Sequence, residues 1–258
     1  MRIVFIGAGR LATNLAPALH ASGHQILQVF SRTITSAEIL AKKVEADAIC
    51  KLSEVTCDAD VFIFSVTDTA LPQLIAQLGK GREHSVFLHT AGSVPMSVFA
   101  GIGSHYGVLY PMQTFSKERS IDFSHVPFFI EGSDAQALSV AESLASSVSD
   151  NIRQLSSEAR RHLHLAAVFA CNFANHCYQL SAEILEKYQL PFDVMLPLID
   201  ETAAKVHELM PRDAQTGPAI RYDENVMQAQ LQLLSDMPRL ADVYRLLSDS
   251  IHQSHIQR

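Results

Sequence analysis

The chain has 258 residues, enough for one large hydrophobic core or two smaller ones. Its formal net charge of −7 excludes the general basic surface that nucleic acid requires. The four cysteines form no C-x-x-C pair and are interpreted as reduced core residues, and no signal peptide or transmembrane run is visible. We therefore expect a cytoplasmic protein that binds a small molecule and neither nucleic acid nor a membrane.

The first predicted strand, IVFI at residues 3–6, leads directly into a glycine-rich turn. Gly7, Gly9 and Ala12 fit the spacing G-x-G-x-x-G/A, and leucines then recur at helical spacing. A turn between strand and helix can hold a phosphate at the helix N-terminus, although a tight turn that binds nothing has the same spacing. The residues expected to contact a dinucleotide here are Gly7, Ala8, Gly9, Arg10, Leu11 and Ala12.

The end of the second predicted strand indicates which dinucleotide is bound. An NAD enzyme usually places a carboxylate about 20 residues after the glycines, to bind the ribose 2′-hydroxyl. This chain has Ser31, Arg32 and Thr33 there, and no carboxylate before Glu38. A guanidinium group between two hydroxyl groups suits a 2′-phosphate, so the pattern favours NADP (NADPH). A solvated loop arginine is the alternative.

Short apolar runs alternate with helical patterns through the first half of the chain. Strand-like runs lie at 60–66, 85–91, 106–111 and 126–131, and helical patterns at 71–78 and 135–148. This alternation predicts an α/β fold with a doubly wound parallel Rossmann sheet. Three helical patterns follow, at 156–188, 192–210 and 224–252. We expect an NAD(P)-binding Rossmann domain at 1–155 and a helical domain for substrate and dimerisation at 156–258.

Three predicted strands end in polar residues, at the sheet edge where open α/β sheets bind ligands. Ser65, Val66 and Thr67 follow the first of them and are expected to contact the cofactor, whereas Asp68 is expected to cap the next helix. His89 ends the second strand and Gln113 follows the third. Both are candidates for substrate binding, although a histidine at a strand end is often only hydrogen-bonded.

A polar face lies on the first long helix of the second half. His164, Asn172 and Asn175 share it at helical spacing with an otherwise apolar sequence, so a substrate or a second subunit is expected to satisfy them. His162 lies only two residues before His164, which does not fit a metal site. Later, Thr216 and Arg221 flank a Gly-Pro loop and are candidates for substrate binding, with Asp223 as the following N-cap.

Taken together, these motifs resemble a bacterial family of NADP oxidoreductases. The relevant stretches are GAGRLATNLAPAL, FSVTDTAL, HTAGSVP, YPMQTF, HLAAVFACNFANH and TGPAIRYDE. Members of this family join a Rossmann-like N-terminal domain to a helical C-terminal domain of unknown function. The family is similar to pyrroline-5-carboxylate reductase, ketopantoate reductase and the 6-phosphogluconate dehydrogenase superfamily. The resemblance therefore implies a 6-phosphogluconate-dehydrogenase-like helical domain, dimerisation through it, and closure of the active site by it.

The chain departs from that superfamily at one position. Its dehydrogenases use a helical lysine four residues before an asparagine as acid and base, and Val168 stands four residues before Asn172 here. Either His164 supplies the proton, with Asn172 beside it, or the protein orients the hydride towards an imine that is already activated. Two hypotheses follow. The chain is an NADP-dependent oxidoreductase acting on a small polar carbonyl or imine, or it is a non-catalytic dinucleotide-binding sensor of the same fold.

Overall fold

The computed structural model describes residues 1–79 and 81–256. Contacts divide the chain into two compact units, Met1–Cys171 and the residues from Asn172 onward. Within the part described, the first unit contains one eight-stranded sheet in the order β3-β2-β1-β4-β5-β6-β7-β8. Its strands are β1 (Arg2–Ile6), β2 (Gln25–Phe30), β3 (Asp47–Ile49), β4 (Val61–Phe64), β5 (Val86–His89), β6 (His105–Pro111), β7 (Phe128–Gly132) and β8 (Ile152–Gln154).

The central strands form because their apolar residues are covered on both faces of the sheet. In β1, Ile3 and Phe5 pack on one face, whereas Val4 and Ile6 pack on the other. All four side chains are fully buried, as continuous apolar runs predict for parallel strands. Helices α1 (Arg10–Ala21), α2 (Ile34–Lys43) and α4 (Ala135–Ser146) cover the first face, and α3 (Leu71–Leu78) covers the second. The doubly wound Rossmann architecture is thereby confirmed.

The far side of the sheet differs from the all-parallel prediction. Strands β1 to β6 are parallel to one another, but β7 pairs with β6 in antiparallel orientation. Residues 112–127 between them contain no helix of the kind that usually connects two parallel strands. Strands β3 and β8 were not predicted, because three residues are too few to show a periodic pattern. The expectation of a wholly parallel sheet was wrong for β7 and β8.

The helical part of the chain begins with α5 (Ser157–Ala167), which belongs to the first compact unit. A π-helical segment, Val168–Phe173, follows α5, and the division between the two units falls within it. The last strand ends at Gln154, next to the predicted domain boundary at residue 155. The assignment of 156–258 as a functional domain stays a prediction.

The second unit is built from short helices around a small core. Its helices are α6 (Ala174–Lys187), α7 (Leu196–Glu208), α8 (Pro211–Ala214), α9 (Pro218–Arg221), α10 (Glu224–Leu233) and α11 (Pro238–Ile256). The pattern predicted at 224–252 breaks before Pro238, because proline disfavours the α-conformation in the residue preceding it. Its buried core contains Leu180, Leu234, Leu240 and Ala241.

The structure bears on two expectations from composition, the burial of the cysteines and the absence of a membrane-spanning helix. The four cysteines are free, but Cys50, Cys57 and Cys177 are exposed and Cys171 is half-buried, so their assignment to the core was wrong. The sequence suggested burial because apolar residues stand near these cysteines in the chain, but the cysteines themselves lie in loops or on helix surfaces. Among residues 1–79 and 81–256, no helix has both the length and the hydropathy needed to cross a membrane.

Candidate active site at the carboxyl edge of the sheet

The glycine turn after β1 brings three strand ends together. Gly7 has a φ of +116°, and a Cβ atom there would lie 2.8 Å from Val66 Cγ1 and would overlap the Ser65 carbonyl. Its amide also donates to the Phe30 carbonyl at 2.8 Å. Only glycine satisfies both the positive φ and the close approach to the loop after β4. The tight turn inferred from the sequence therefore has the geometry of a dinucleotide-binding turn.

The N-terminus of α1 opens directly onto this turn. The helix begins at Arg10, immediately after Gly9, whose lack of a side chain leaves the first backbone amides without a side-chain cap. Thr13 donates from Oγ1 to the Gly9 carbonyl at 2.8 Å and steadies the turn from inside the helix. The first amides of a helix have no partner within the helix, so they are available to an anionic group such as a pyrophosphate.

Two arginines lie beside this anion site. Arg10 and Arg32 are both exposed, and in residues 1–79 and 81–256 neither guanidinium group makes a hydrogen bond or ion pair. The hydroxyl of Thr33 donates to Ser36 Oγ at 2.8 Å, and the Ser31 amide donates to the Ile49 carbonyl at 3.1 Å. The loop after β2 is thus held by a bond within the loop and a bond to β3, whereas the Arg32 side chain extends into solvent.

The strand order arranges the predicted cofactor residues along one edge. Because β2, β1, β4, β5 and β6 are parallel neighbours, their carboxyl ends meet at that edge in that order. At roughly 4.8 Å per strand, the ends of β2 and β5 are about 14 Å apart. Arg32, the glycine turn and the loop at Ser65, Val66 and Thr67 therefore follow one another towards the loop after β5. The order of the strands reverses between β1 and β4, which is where such sheets bind ligands.

Asp68 joins two loops of this edge. Its carboxylate accepts a short hydrogen bond from the Ser93 hydroxyl, which ties the loop after β4 to the loop after β5. Helix α3 begins at Leu71 after Ala70, and no side chain caps it. The expectation that Asp68 caps this helix was wrong, because the tertiary partner Ser93 lies on another strand's loop and leaves no local signal.

His89 lies in the interior, below the edge. Its side chain is fully buried and stacks on Phe99 with ring centroids 5.8 Å apart. Nδ1 accepts from the Ala91 amide at 3.1 Å, whereas Nε2 has no partner within hydrogen-bond geometry among residues 1–79 and 81–256. Burial, helped by the nearby positive charge of Arg160, lowers the pKa of His89 to about 3, and the Pro95 carbonyl opposes this only weakly. The ring is therefore neutral and enclosed in this conformation, and its role in substrate binding stays a prediction.

A second histidine, His164, reaches the same edge from α5. Its Nδ1 lies 3.0 Å from the Tyr110 hydroxyl, and the two rings meet edge to face with centroids 6.0 Å apart. On another side, a Cβ atom at Gly92 would lie 2.7 Å from His164 Cγ, so the ring rests directly on the backbone of the loop after β5. His164 is only partly buried, and its Nε2 makes no hydrogen bond to residues 1–79 or 81–256. This nitrogen can serve a ligand.

A buried ion pair fixes the helix that carries His164. Arg160 is fully buried, and its Nη1 donates to Glu131 Oε2 at 2.6 Å while Nη2 donates to the Val94 carbonyl at 2.6 Å. The hydroxyl of Ser157 donates to the same Glu131 oxygen. Together these bonds attach α5 to β7 and to the loop after β5, one turn before His164. Neither Tyr110 nor Arg160 was identified from sequence, although a tyrosine at a buried strand end requires a partner for its hydroxyl.

The remaining candidates are solvent-accessible, and most of them lie in the second unit. Gln113 is exposed in the turn after β6, where its Oε1 accepts from the Thr114 amide at 2.8 Å. Asn172, Asn175, Thr216 and Arg221 are exposed on the second unit. Asp223 accepts from the Val226 amide at 3.3 Å and caps α10, so that prediction is confirmed.

The predicted polar face needs one correction. The face shared by His164, Asn172 and Asn175 assumes a regular α-helix, but Val168–Phe173 is π-helical. Each π turn holds more residues than an α turn, so residues beyond this segment are rotated from the predicted stripe. The roles of Asn172 and Asn175 stay predictions.

Comparison with known proteins places the chain beside oxidoreductases. Residues 1–112 match a Rossmann-like domain model, and residues 126–251 match a domain of unknown function, DUF2520. The crystal structure of a putative NADP oxidoreductase from Bacteroides fragilis is 55% identical, covers 98% of both chains and superimposes with a TM-score of 0.94.

More distant similarities concern the fold alone. An imine reductase from Myxococcus stipitatus, in complex with NADP+, is 16% identical, with 98% of this chain and 92% of that chain covered and a TM-score of 0.70. A pyrroline-5-carboxylate reductase from Coxiella burnetii is 15% identical, with 99% and 97% covered and a TM-score of 0.60. A curated glutamyl-tRNA reductase from Brevibacillus brevis is 30% identical over 98 residues, and the match spans only 22% of its length.

Proposed function

We propose that this chain, which belongs to the same family as the putative NADP oxidoreductase from Bacteroides fragilis and itself joins a Rossmann-like domain to DUF2520, is an NADP-dependent oxidoreductase. Its substrate is a small polar carbonyl or imine. The observation that carries the proposal is His164, which rests on Gly92 and bonds Tyr110 at the same sheet edge as the glycine turn. A protein that only bound the dinucleotide would have no need of an imidazole held there with one free nitrogen.

The residues of the sheet edge fit NADP. The cradle at Gly7, which leaves no room for a Cβ atom, suits the pyrophosphate together with the N-terminus of α1. The exposed guanidinium of Arg32 suits the 2′-phosphate, and Arg10 adds a second positive charge at the turn. Ser65, Val66 and Thr67 follow towards β5 on the side of the nicotinamide. When bound, NADPH supplies a hydride from C4 of its nicotinamide.

The chain's own residues supply the proton and the orientation. His164 donates through Nε2 to the oxygen or nitrogen of the substrate as the hydride arrives at its carbon. Asn172 is proposed to orient the reacting group, and Gln113, Asn175, Thr216 and Arg221 to bind the rest of the substrate. His89 holds the loop after β5 from below. The protein is proposed to act as a homodimer formed through its helical domain.

The test is consumption of NADPH with cyclic imines, keto acids and aldehydes. We expect turnover with at least one class, and His164→Ala to lower kcat by about a hundredfold with little change in the Kd for NADP. Asn172→Ala should show the same split between turnover and cofactor affinity. His162→Ala is the matched control, since His162 is exposed on the same helix and, among residues 1–79 and 81–256, bonds the Glu158 carbonyl alone. Cofactor binding without turnover on any class would favour the sensor.

A further inference from the structure

We infer that Tyr110 is a positioning residue for the reaction proposed above: its hydroxyl holds Nδ1 of His164, so that Nε2 carries the proton and faces the ligand. The catalytic importance of this contact rests on the proposed function. The contact itself lies entirely within the first unit, because that unit contains both Tyr110 and His164. Tyr110 is the penultimate residue of β6, and α5 brings His164 to it from 54 positions later in the chain.

The contacts around His164 leave it one orientation. The Tyr110 hydroxyl lies 3.0 Å from Nδ1, and the Gly92 backbone closes the side of the ring at Nδ1 and Cγ. The Tyr110 ring is itself packed beside Val108 and Phe129, with Leu163 against the same cluster. Turning the imidazole over would place a carbon atom against a buried hydroxyl and leave that hydroxyl unpaired, which is costly.

The protonation of the pair follows from the chemistry of a phenol. Burial raises the pKa of Tyr110, although the nearby positive charge of Arg160 lowers it in part, so the hydroxyl keeps its proton at neutral pH. In residues 1–79 and 81–256 that hydroxyl has no acceptor other than His164 Nδ1. It therefore donates to Nδ1 of the neutral ring, which fixes the tautomer with hydrogen on Nε2.

The same hydroxyl serves both charge states of His164. When the ring is an imidazolium, Nδ1–H donates to the phenol oxygen, and Nε2–H remains the outer proton. In the transfer step the Nε2–H bond breaks, its electron pair stays on the ring nitrogen, and the proton forms a new bond to the substrate's oxygen or nitrogen. The ring is then neutral with hydrogen on Nδ1, which is the tautomer that Tyr110 disfavours because its own hydroxyl hydrogen has lost its acceptor, and a proton from solvent on Nε2 restores the imidazolium. The charged group that acts on Tyr110 is Arg160, which lies one turn before His164 on α5 and pairs with Glu131 on β7.

The inference is tested first by nitrogen NMR of the cofactor-free protein, with histidine labelled in its ring and the His164 signals assigned by their loss in His164→Gln. At a pH above the titration of the ring, we expect hydrogen on Nε2 and none on Nδ1 in the wild type. Tyr110→Phe removes one oxygen and keeps the packed ring, and should shift His164 towards a mixture of tautomers. Tyr106→Phe, the same deletion four residues earlier on β6, should leave the signals unchanged.

Turnover supplies the second measurement. Tyr110→Phe should lower kcat by about tenfold to a hundredfold and change KM by less than about twofold, because orientation is lost and binding is not. A wild-type spectrum with hydrogen on Nδ1, or identical His164 signals in wild type and Tyr110→Phe, would overturn the role of Tyr110 whatever the activity. If the wild type has the expected tautomer but turns over no substrate, the role of Tyr110 in orienting His164 is upheld. The proposed function is then rejected.

Discussion

The two compact units of the chain bury their apolar residues to very different extents. In the first unit, every residue of β4 is buried, and the aromatic rings of Phe62 and Phe87 stack with centroids 5.3 Å apart. In the second unit, by contrast, Leu198, Leu233 and Leu246 are 63%, 68% and 70% exposed. A sheet covered by helices on both faces completes its own core, whereas a set of short helices leaves leucines in water.

This difference has a physical consequence for each unit. Burying a leucine side chain stabilises a fold by about 1.5–3 kcal/mol relative to leaving it exposed. Contiguous exposed apolar surface is rare on monomers and usually marks an interaction surface. We therefore expect the first unit to be stable without a partner, and we expect the exposed leucines of the second unit to bind a second copy of the chain. Each prediction below tests one side of this comparison.

The largest effect is expected on assembly. Light scattering at micromolar concentration should report twice the mass of one chain, because a twofold dimer would cover the apolar helix surface. Leu246→Asp, at a leucine that is 70% exposed on α11 of the second unit, should shift the mass towards the monomer. Ile39→Asp is the matched control, since Ile39 is 58% exposed on α2 of the sheet unit. A monomeric wild type would contradict the prediction.

The next effect concerns ion pairs in the two regions. Arg160→Leu should lower the free energy of unfolding by about 3–5 kcal/mol, because it leaves the carboxylate of Glu131 buried without its charge partner. Arg245→Leu removes an exposed pair with Asp242 on α11 and should cost less than about 1 kcal/mol. Urea denaturation followed by circular dichroism measures both. Equal losses would show that burial does not distinguish the two pairs.

Cofactor preference tests the sheet edge. Arg32→Ala should weaken NADP binding by about tenfold to a hundredfold and leave NAD binding unchanged, since only NADP carries the 2′-phosphate. Arg239→Ala, at an exposed arginine on α11, should alter neither. Calorimetric titration of the wild type and both variants with NADP and with NAD measures the six dissociation constants. Equal affinity of the wild type for NADP and NAD would reject the assignment.

The smallest expected effect is on pH dependence, and it comes from the sheet unit. The pKa of His89 is about 3 in the folded chain and 6.5 in the unfolded chain. Between these two pH values the unfolded chain therefore binds a proton on His89 and the folded chain does not. This destabilisation is absent above pH 6.5 and grows as the pH falls towards 3. Between pH 7 and pH 5 the free energy of unfolding should fall by about 2 kcal/mol from this group. His89→Gln should remove that part of the slope, and an unchanged slope would contradict the assignment.

The local pattern of residues was sufficient for the central strands of the sheet and the glycine turn. Gly7 and Gly9 are recognisable because the constraint acts between neighbours in the chain: a strand must turn into a helix within a few residues. The apolar runs of β1, β4 and β5 are recognisable because both faces of each strand are buried. Asp223 was predicted as a cap because capping is also a contact over three residues.

Contacts between distant segments were decided only by the tertiary structure. Asp68 was expected to cap a helix and instead accepts from Ser93, and His89 was expected at the rim and is enclosed by Phe99. The sequence separated His164 from Tyr110 by 54 positions, and no local periodicity joins a strand end to a helix face. The chain by itself thus determined the central strands, most of the helical segments and the glycine turn, since those depend on spacing. Which imidazole is buried and neutral, and which keeps a free nitrogen at the edge, depended on packing between elements.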